Sequence, residues 1–349
     1  MDMQTPAMES SHESLTRIKV IGVGGGGSNA VNNMVGPGID GVDFIAVNTD
    51  AGALSQSVAP ARLRIGDKLT KGLGVGGDPK LGAAAAEESR EDLAAAIQGA
   101  GILFITAGMG GGTGTGAAPV IAEIAGELSI LTIAVVTRPF TFEGTQRTKV
   151  ALEGVARLTE KADTVIAIPN DRLLSVCDPS ISIDAAFKMV DSVLRQSVLG
   201  ICEVIRTVGH INLDLNDVKA IMSKAGRGWI GVGRGTGGTR AIDAAKAAIV
   251  NPLFDFTIEK AKRILFNIKG NDLTMSEVNE AANVIKQVAD PEAQIIFGFG
   301  ADPELNSVMK ITLVATEFSE GKAKILVNRD ELFELAGDGR RYSFLNRLK

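Results

Sequence analysis

Ala107-Gly-Met-Gly-Gly-Gly-Thr-Gly-Thr-Gly116 is the stretch whose reading decides the fold. Before it, Ile102-Leu-Phe-Ile-Thr106 is a short apolar, β-rich run suited to a buried strand. After it, Pro119 and the apolar positions Val120, Ile121, Ile124 and Leu128 follow the spacing of a helix. A strand that turns through glycines into a helix presents unpaired backbone N–H groups and the positive end of a helix dipole. With no side chains in the way, a phosphate can approach that backbone closely. Thr113 and Thr115 add hydroxyl donors without bulk. The competing reading is a plain flexible loop, but glycine weakens strands and helices alike, so a run this dense needs a reason. No G-x-x-x-x-G-K-[ST] occurs, so the loop is not that of the common nucleotide hydrolases, with its phosphate-binding lysine.

Upstream, Ile18-Lys-Val-Ile-Gly-Val23 reads as a strand feeding Gly24-Gly-Gly-Gly-Ser-Asn29, with a helix starting at Ala30. Gly22 to Gly27 satisfies G-x-G-x-x-G, and Asp50 follows a second strand, Val42 to Val47. Alone, this supports a Rossmann dinucleotide site as well as any other. A third cluster, Thr70-Lys-Gly-Leu-Gly-Val-Gly-Gly-Asp78, is either a long surface loop or one that closes over a terminal phosphate. Its place between the other two favours closure. A helix over 83–96, a strand over 131–136, a helix over about 143–162 and a strand over 164–168 continue the alternation. The fold class is therefore α/β, a Rossmann-like domain whose parallel sheet is covered on both faces. Its ligand belongs at the carboxyl ends of the strands, where the glycine loops fall.

From Ser182 to about Thr207 a helical spacing holds through Ala186, Val190, Val193, Leu194, Ser197, Ile201, Val204 and Ile205. At 1.5 Å per residue such a helix spans about 40 Å, the length of a domain. Phe187, Met189, Val198 and Leu199 lie off the main stripe, so it reads as a connector covered on more than one side. Beyond Gly209 come helices over 217–224, 240–250 and 276–288, and strands over 229–233, 261–268, 294–299 and 309–315, with another at 323–327. They predict a C-terminal α+β domain with a sheet of its own. The expected division is a disordered tail over 1–15, a nucleotide domain over 16–181, a connecting helix over 182–208, a second domain over 209–318, and a short linker and C-terminal peptide over 319–349.

A chain of 349 residues is long enough for two cores. A net charge of −5 argues against a nucleic-acid partner, which calls for a basic face. Cys177 and Cys202, with only His12 and His210 besides, suit a reduced compartment and buried thiols better than a zinc site. No apolar run reaches membrane-spanning length and residues 1–13 lack a signal-peptide core, so a soluble, cytoplasmic protein is expected.

Gly110-Gly-Gly-Thr-Gly-Thr-Gly116 resembles the signature loop of the tubulin/FtsZ superfamily, and its flanks look like those of the bacterial-type cell-division GTPases in it. Val20 to Gly27, Val47-Asn-Thr-Asp50, Thr70-Lys-Gly-Leu-Gly74, Phe142-Glu-Gly144, Ile168-Pro-Asn-Asp171 and Asn212-Leu-Asp-Leu-Asn-Asp217 extend the resemblance over about residues 17–316. It implies a GTPase domain, a central helix and a C-terminal, GTPase-activating domain. It also implies GTP and GDP as ligands, Mg²⁺ with the phosphates, and head-to-tail homopolymers at the mid-cell division ring, with adaptor proteins on the C-terminal peptide. The terminal Phe344-Leu-Asn-Arg347 matches that peptide only partly, and the linker before it is short. That puts tethering through the usual adaptors in doubt.

The resemblance also supplies roles. Gly25, Gly26, Gly27, Ser28 and Asn29 match the first nucleotide loop, and Gly112, Thr113 and Gly114 the loop on the outer phosphates, with Gly76 in the closing loop between them. Glu143 and Arg147 match a pair near the sugar; by themselves they are a surface i, i+4 ion pair. Asp191 matches the residue that reads guanine, with Phe187 on the same face positioned to stack on the base. A carboxylate accepts from both N1–H and the N2 amino group of guanine, a donor pair adenine lacks. On its own, Asp191 reads as a solvated helix residue. Asn212, Asp214 and Asp217 match a loop that enters the site of the next subunit and polarises the attacking water; by themselves they form a polar turn with Asn216 or Asp217 as helix N-cap. A dinucleotide dehydrogenase and a scaffold that does not hydrolyse nucleotide stand as the alternatives.

Overall fold

The computed structural model describes residues 17–36, 41–178, 180–206 and 211–318. The expected N-terminal tail, the strand over 323–327 and the C-terminal peptide lie outside these residues. In chain order, the first part runs β1 (Ile18–Val23), α1 (Gly24–Met34), β2 (Val42–Asn48), α2 (Ala51–Ser55), β3 (Ala61–Arg64), α3 (Asp67–Thr70), α4 (Pro79–Glu88) and α5 (Arg90–Ile97). It continues through β4 (Ile102–Gly108), α6 (Thr113–Glu127), β5 (Leu131–Arg138), α7 (Thr145–Lys161), β6 (Thr164–Pro169) and α8 (Asn170–Val176). The long α9 (Ile183–Arg206) leads to α10 (Leu215–Met222), β7 (Gly226–Thr236), α11 (Arg240–Ile249), β8 (Ala261–Gly270), α12 (Met275–Val288), β9 (Gln294–Ala301) and β10 (Val308–Phe318).

β4 and β5 are buried almost throughout, which is why their sequences are continuous apolar runs and not alternating ones. The strands from β1 to β6 are parallel in the order β3-β2-β1-β4-β5-β6. The order reverses at β1, whose neighbours β2 and β4 lead the chain away in opposite directions. That reversal opens a crevice between the helices that follow β1 and β4, at the strands' carboxyl ends.

The second part does not form a separate sheet, contrary to the sequence expectation. β7 pairs in parallel with β6 through Thr164↔Gly226 and Val165↔Arg227, giving one ten-stranded sheet that continues β7-β10-β8-β9. Asp163 makes the joint: its carboxylate accepts the N–H groups of Thr132 and Lys224, and its carbonyl those of Ala225 and Gly226. Beyond the joint β10 is antiparallel to both β7 and β8, and β9 is parallel to β8. Strand pairing at one junction is invisible to periodicity, which reports local burial only.

α9 packs on α1 and β5 on one side and on β7 and β10 on the other. Its buried residues include Val190, Val193, Leu194, Ile201 and Val204 on the expected stripe and Val198 off it. At 24 residues it is about 36 Å long. Both cysteines are free and buried, and burial pushes the Cys202 thiol up to about 12.

Three local expectations change. The helix expected over 83–96 is broken at Ser89, whose φ of −105° and ψ of 25° leave the helical region, so α4 and α5 meet at an angle. The helix after the first glycine run starts at Gly24 and not at Ala30, because the glycines themselves form its first turn. β7 is also longer than the expected 229–233. Its Gly231, Gly233 and Gly235 recur at strand period on the face that meets the alanines of α11. A Cβ on any of them would fall within about 2 Å of an α11 carbonyl oxygen, that of Ala248, Ala244 or Arg240. Backbone therefore packs directly on backbone. Gly233→Ala is expected to destabilise the protein by about 1–3 kcal/mol, read as a lowered denaturant midpoint.

Candidate functional site

A cleft of about 490 Å³ opens at the carboxyl ends of the parallel strands, where the strand order reverses. Two helix N-termini face it. α1 begins at Gly24 and α6 at Thr113, and no side chain caps the first turn of either. Several other helices are capped by side chains, Asp78 on α4, Asp214 on α10 and Thr274 on α12, while α5, α7, α8 and α11, like α1 and α6, are not. The uncapped N–H groups and the two dipoles make one end of the cleft an anion site built from backbone. Gly24 takes a φ of +72°, and a Cβ there would sit 2.9 Å from the Gly114 nitrogen, so the two glycine turns are in contact. Gly25, Gly26, Gly112, Thr113 and Gly114 line this end. Among the described residues no lysine does, and the only cationic side chain on the wall is Arg147.

Gly27 and Ser28, expected on the phosphates, do not line the cleft. Gly27 is a packing residue, since a Cβ would lie 2.4 Å from the Thr106 carbonyl oxygen and hold α1 off the sheet. Ser28 is buried, and its hydroxyl has no hydrogen-bond partner among the described residues. Both fall on the packed side of α1, whereas Asn29, further along the same helix, lines the cleft.

Gly74 to Gly77 of the third cluster complete the phosphate side, Gly76 among them. Lys71, Gly72, Gly74, Gly76 and Gly77 all have positive φ, which holds the loop in a conformation other side chains resist. The loop is fastened by the Asp50–Leu73 bridge and by the Ala51 N–H on the Gly72 carbonyl. Asp50 also caps α2 through Ala53 N–H. The residue that suggested a Rossmann ribose contact is thus engaged in fastening this loop.

The other end is larger and less polar. Asn29, Asn170, Glu143, Arg147, Phe187, Val190, Asp191 and Leu194 line it. Glu143 accepts the Phe140 N–H at 2.8 Å and pairs with Arg147 at 3.1 Å, so the i, i+4 pair exists but is anchored to the turn that begins at Thr141. Phe187 meets Phe140 edge-on at 5.5 Å and keeps part of its ring exposed to the cleft. Asp191 is not a solvated helix residue. Asn33 on α1 donates to its Oδ2 at 3.1 Å, and burial pushes its carboxyl up to about 6. Asn170 was missed as a site residue. It is buried at the start of α8 on the cleft wall, its Oδ1 without a partner among the described residues, and the trace in sequence was its place in the motif Ile168-Pro-Asn-Asp171.

Asn212, Asp214 and Asp217 are nowhere near the cleft. α10 lies at the opposite end of the strands, where the Met222 carbonyl accepts the hydroxyl of Thr164, the first residue of β6, at 2.6 Å. The N-cap of α10 is Asp214, not Asn216 or Asp217. Its Oδ1 accepts Asn216 and Asp217 N–H, while Asp217 Oδ2 accepts Asp214 N–H in return. This capping box holds two carboxylates side by side, each with its second oxygen unpaired among the described residues.

A Rossmann-ordered sheet with two uncapped, glycine-built helix N-termini at its switch point, and a carboxylate at the base end, defines a nucleotide-binding protein of the tubulin type. The model of the tubulin/FtsZ family GTPase domain matches residues 17–178, and that of the FtsZ family C-terminal domain residues 226–319. Among solved structures, an empty FtsZ dimer from M. jannaschii is 42% identical with a TM-score of 0.81, over 88% of this chain and 89% of that one. CetZ2 from Haloferax volcanii, solved as a GTPγS-bound protofilament, is 22% identical with a TM-score of 0.74 over 92% and 97% of the two chains. At that identity it shows the fold alone. The chain belongs to the tubulin/FtsZ family and, within it, to the FtsZ family of cell-division GTPases.

An Asp191 carboxyl raised to about 6 sets a testable pH dependence. The resemblance makes Asp191 the reader of guanine; guanine presents donors that favour the carboxylate, so protonation would compete with binding as pH falls through 6. GDP affinity is therefore expected to drop between pH 7 and pH 5, and Asp191→Asn to flatten that profile. Without nucleotide the sign reverses. A raised carboxyl pKa costs stability as pH rises from about 4 through 6, so Asp191→Asn is expected to raise the melting temperature of the empty protein at pH 7.

Proposed function

We propose that the cleft binds GTP and that hydrolysis is completed by Asn212, Asp214 and Asp217 of the next subunit in a head-to-tail filament, the polymer of a division ring. The observation that carries this reading is the capping box at the far end of α9. It holds two carboxylates, each with an oxygen to spare among the described residues, away from the cleft. Within the cleft, Glu143 is committed to Arg147 and the Phe140 N–H, Asp50 to its cap, and Asp191 to the base end. Phosphoryl transfer needs positioning and charge stabilisation more than covalent chemistry, and a last acidic group can arrive from outside. A head-to-tail contact that does not close into a ring extends into a filament. The M. jannaschii dimer is a relative seen self-associated, which supports the same for this chain.

Gly25, Gly26, Gly76, Gly112, Thr113 and Gly114 would hold the phosphates, Glu143 and Arg147 the sugar, and Phe187, Asn170 and Asp191 the base. No cluster of three or more His, Cys, Asp or Glu side chains that could hold a metal occurs among the described residues. The site therefore fits Mg²⁺ carried mainly by phosphate oxygens and water, with Asp50 the acid set among the glycine loops. Such an ion would neutralise phosphate charge that the chain meets only with N–H groups. No helix of the described residues is long and apolar enough to cross a membrane.

Two measurements test the reading. Phosphate release per molecule is expected to be near zero in dilute protein and to rise past a threshold concentration together with light scattering. Turnover that stays flat with concentration means a site complete within one chain. In the second, Asp214→Asn keeps a good N-cap on α10 while removing the charge. It is expected to bind GTP and polymerise normally but to lose turnover at least about tenfold, a barrier change of about 1.4 kcal/mol or more. Normal turnover in this variant rules out the role in trans.

A further inference from the structure

Thr49 is fully buried just after β2, yet its hydroxyl reaches the wall of the cleft. Its Oγ1 lies 2.8 Å from that of Thr113, the first residue of α6, and either can be the donor. Its N–H donates to Asn48 Oδ1 at 2.9 Å, and its carbonyl lies 3.3 Å from the Thr70 hydroxyl, which shares its proton with the nearer Gly66 carbonyl at 3.0 Å. Thr70 in turn accepts the Gly72 N–H at the root of the third glycine loop. One residue thus joins the turn after β2, the closing loop and the signature loop.

A hydroxyl has one proton to donate and two lone pairs with which to accept. If Thr113 donates to Thr49, it shows the cleft only lone pairs and repels an anion. If Thr49 donates to Thr113, the Thr113 proton is free to turn toward the cleft. Thr49 Oγ1 has no other hydrogen-bond partner among the described residues, so no other group sets the direction of the pair. A bound anion does.

We propose that Thr49 is a positioning residue for the phosphate end of the nucleotide. Its hydroxyl donates to Thr113 and thereby directs the Thr113 proton onto a phosphate oxygen. The proposal rests on the cleft being the GTP site. Hydrogen bonds in such a chain polarise one another, so the outer one is stronger for the inner one being present. The effect is confined to ligands that carry phosphate.

The test is a double-mutant cycle on the full chain, read by calorimetric titration with GTP, GDP and guanosine. Thr49→Val is expected to weaken GTP and GDP about three- to tenfold, with guanosine binding unchanged. Thr49→Ser is expected to restore wild-type affinity. In a Thr113→Val background Thr49→Val is expected to cost nothing further, because its effect passes through the Thr113 hydroxyl. Equal losses in both backgrounds overturn the proposal, as a direct or purely structural contribution would add. So does an unchanged GTP affinity in Thr49→Val, or a loss shared equally by guanosine. Should Thr49→Val fail to fold, Thr49→Ala completes the same cycle without placing a methyl group against Thr113. Wild-type protein that binds neither GTP nor GDP overturns the nucleotide reading itself, whereas additive losses on a binding wild type overturn this proposal alone.

Discussion

The structure depends on two helix N-termini brought together at one reversal of strand order. α1 and α6 begin beyond the ends of β1 and β4; the first turn of α1 is glycine and that of α6 alternates threonine with glycine. Any side chain cap would occupy the place of the anion, and any Cβ on Gly24 would push the two turns apart. The consequence is a phosphate site made of amide groups and dipoles, without a lysine on its wall. That arrangement leaves negative charge only partly balanced by the chain, which is chemically consistent with a metal ion travelling with the nucleotide. It also makes the site sensitive to the placement of backbone, and the packing glycine Gly27 beneath α1 belongs to the same design.

Geometry then separates binding from the acidic groups. α9 starts beside the base end of the cleft, where Phe187 and Asp191 lie, and runs about 36 Å before the chain turns into α10. Asp163 and the two-residue seam between β6 and β7 hold the α10 end against the amino ends of the first strands. The cleft and the Asp214–Asp217 pair consequently occupy opposite ends of one continuous sheet, the disposition a head-to-tail assembly needs.

The acidic pair also shows how one motif can serve structure and chemistry together. Two carboxylates placed three residues apart would repel if both faced solvent alone. Here each takes N–H groups from the other's segment, which keeps both oriented. A bland helix cap and a trans-acting group are therefore not rival descriptions of Asp214.

The sequence alone determined the glycine turns, the α/β alternation and the long connector, because each of these is written in local composition or periodicity; Glu143, Arg147, Phe187 and Asp191 came only through the family resemblance. Burial on both faces makes β4 and β5 apolar throughout, and a helix covered on two sides shows apolar residues off its main stripe. Tertiary structure alone decided that the two parts share one sheet, that Gly27 packs against the sheet, that Asp214 is the cap of α10, and that Asn170 and Thr49 line the cleft. Each of these depends on a contact between segments far apart in the chain: a two-residue strand pairing, a helix pressed on a strand, a hydroxyl 2.8 Å from another across 64 positions. Local patterns record how much a residue is buried. Which neighbour buries it is set only when the chain closes on itself.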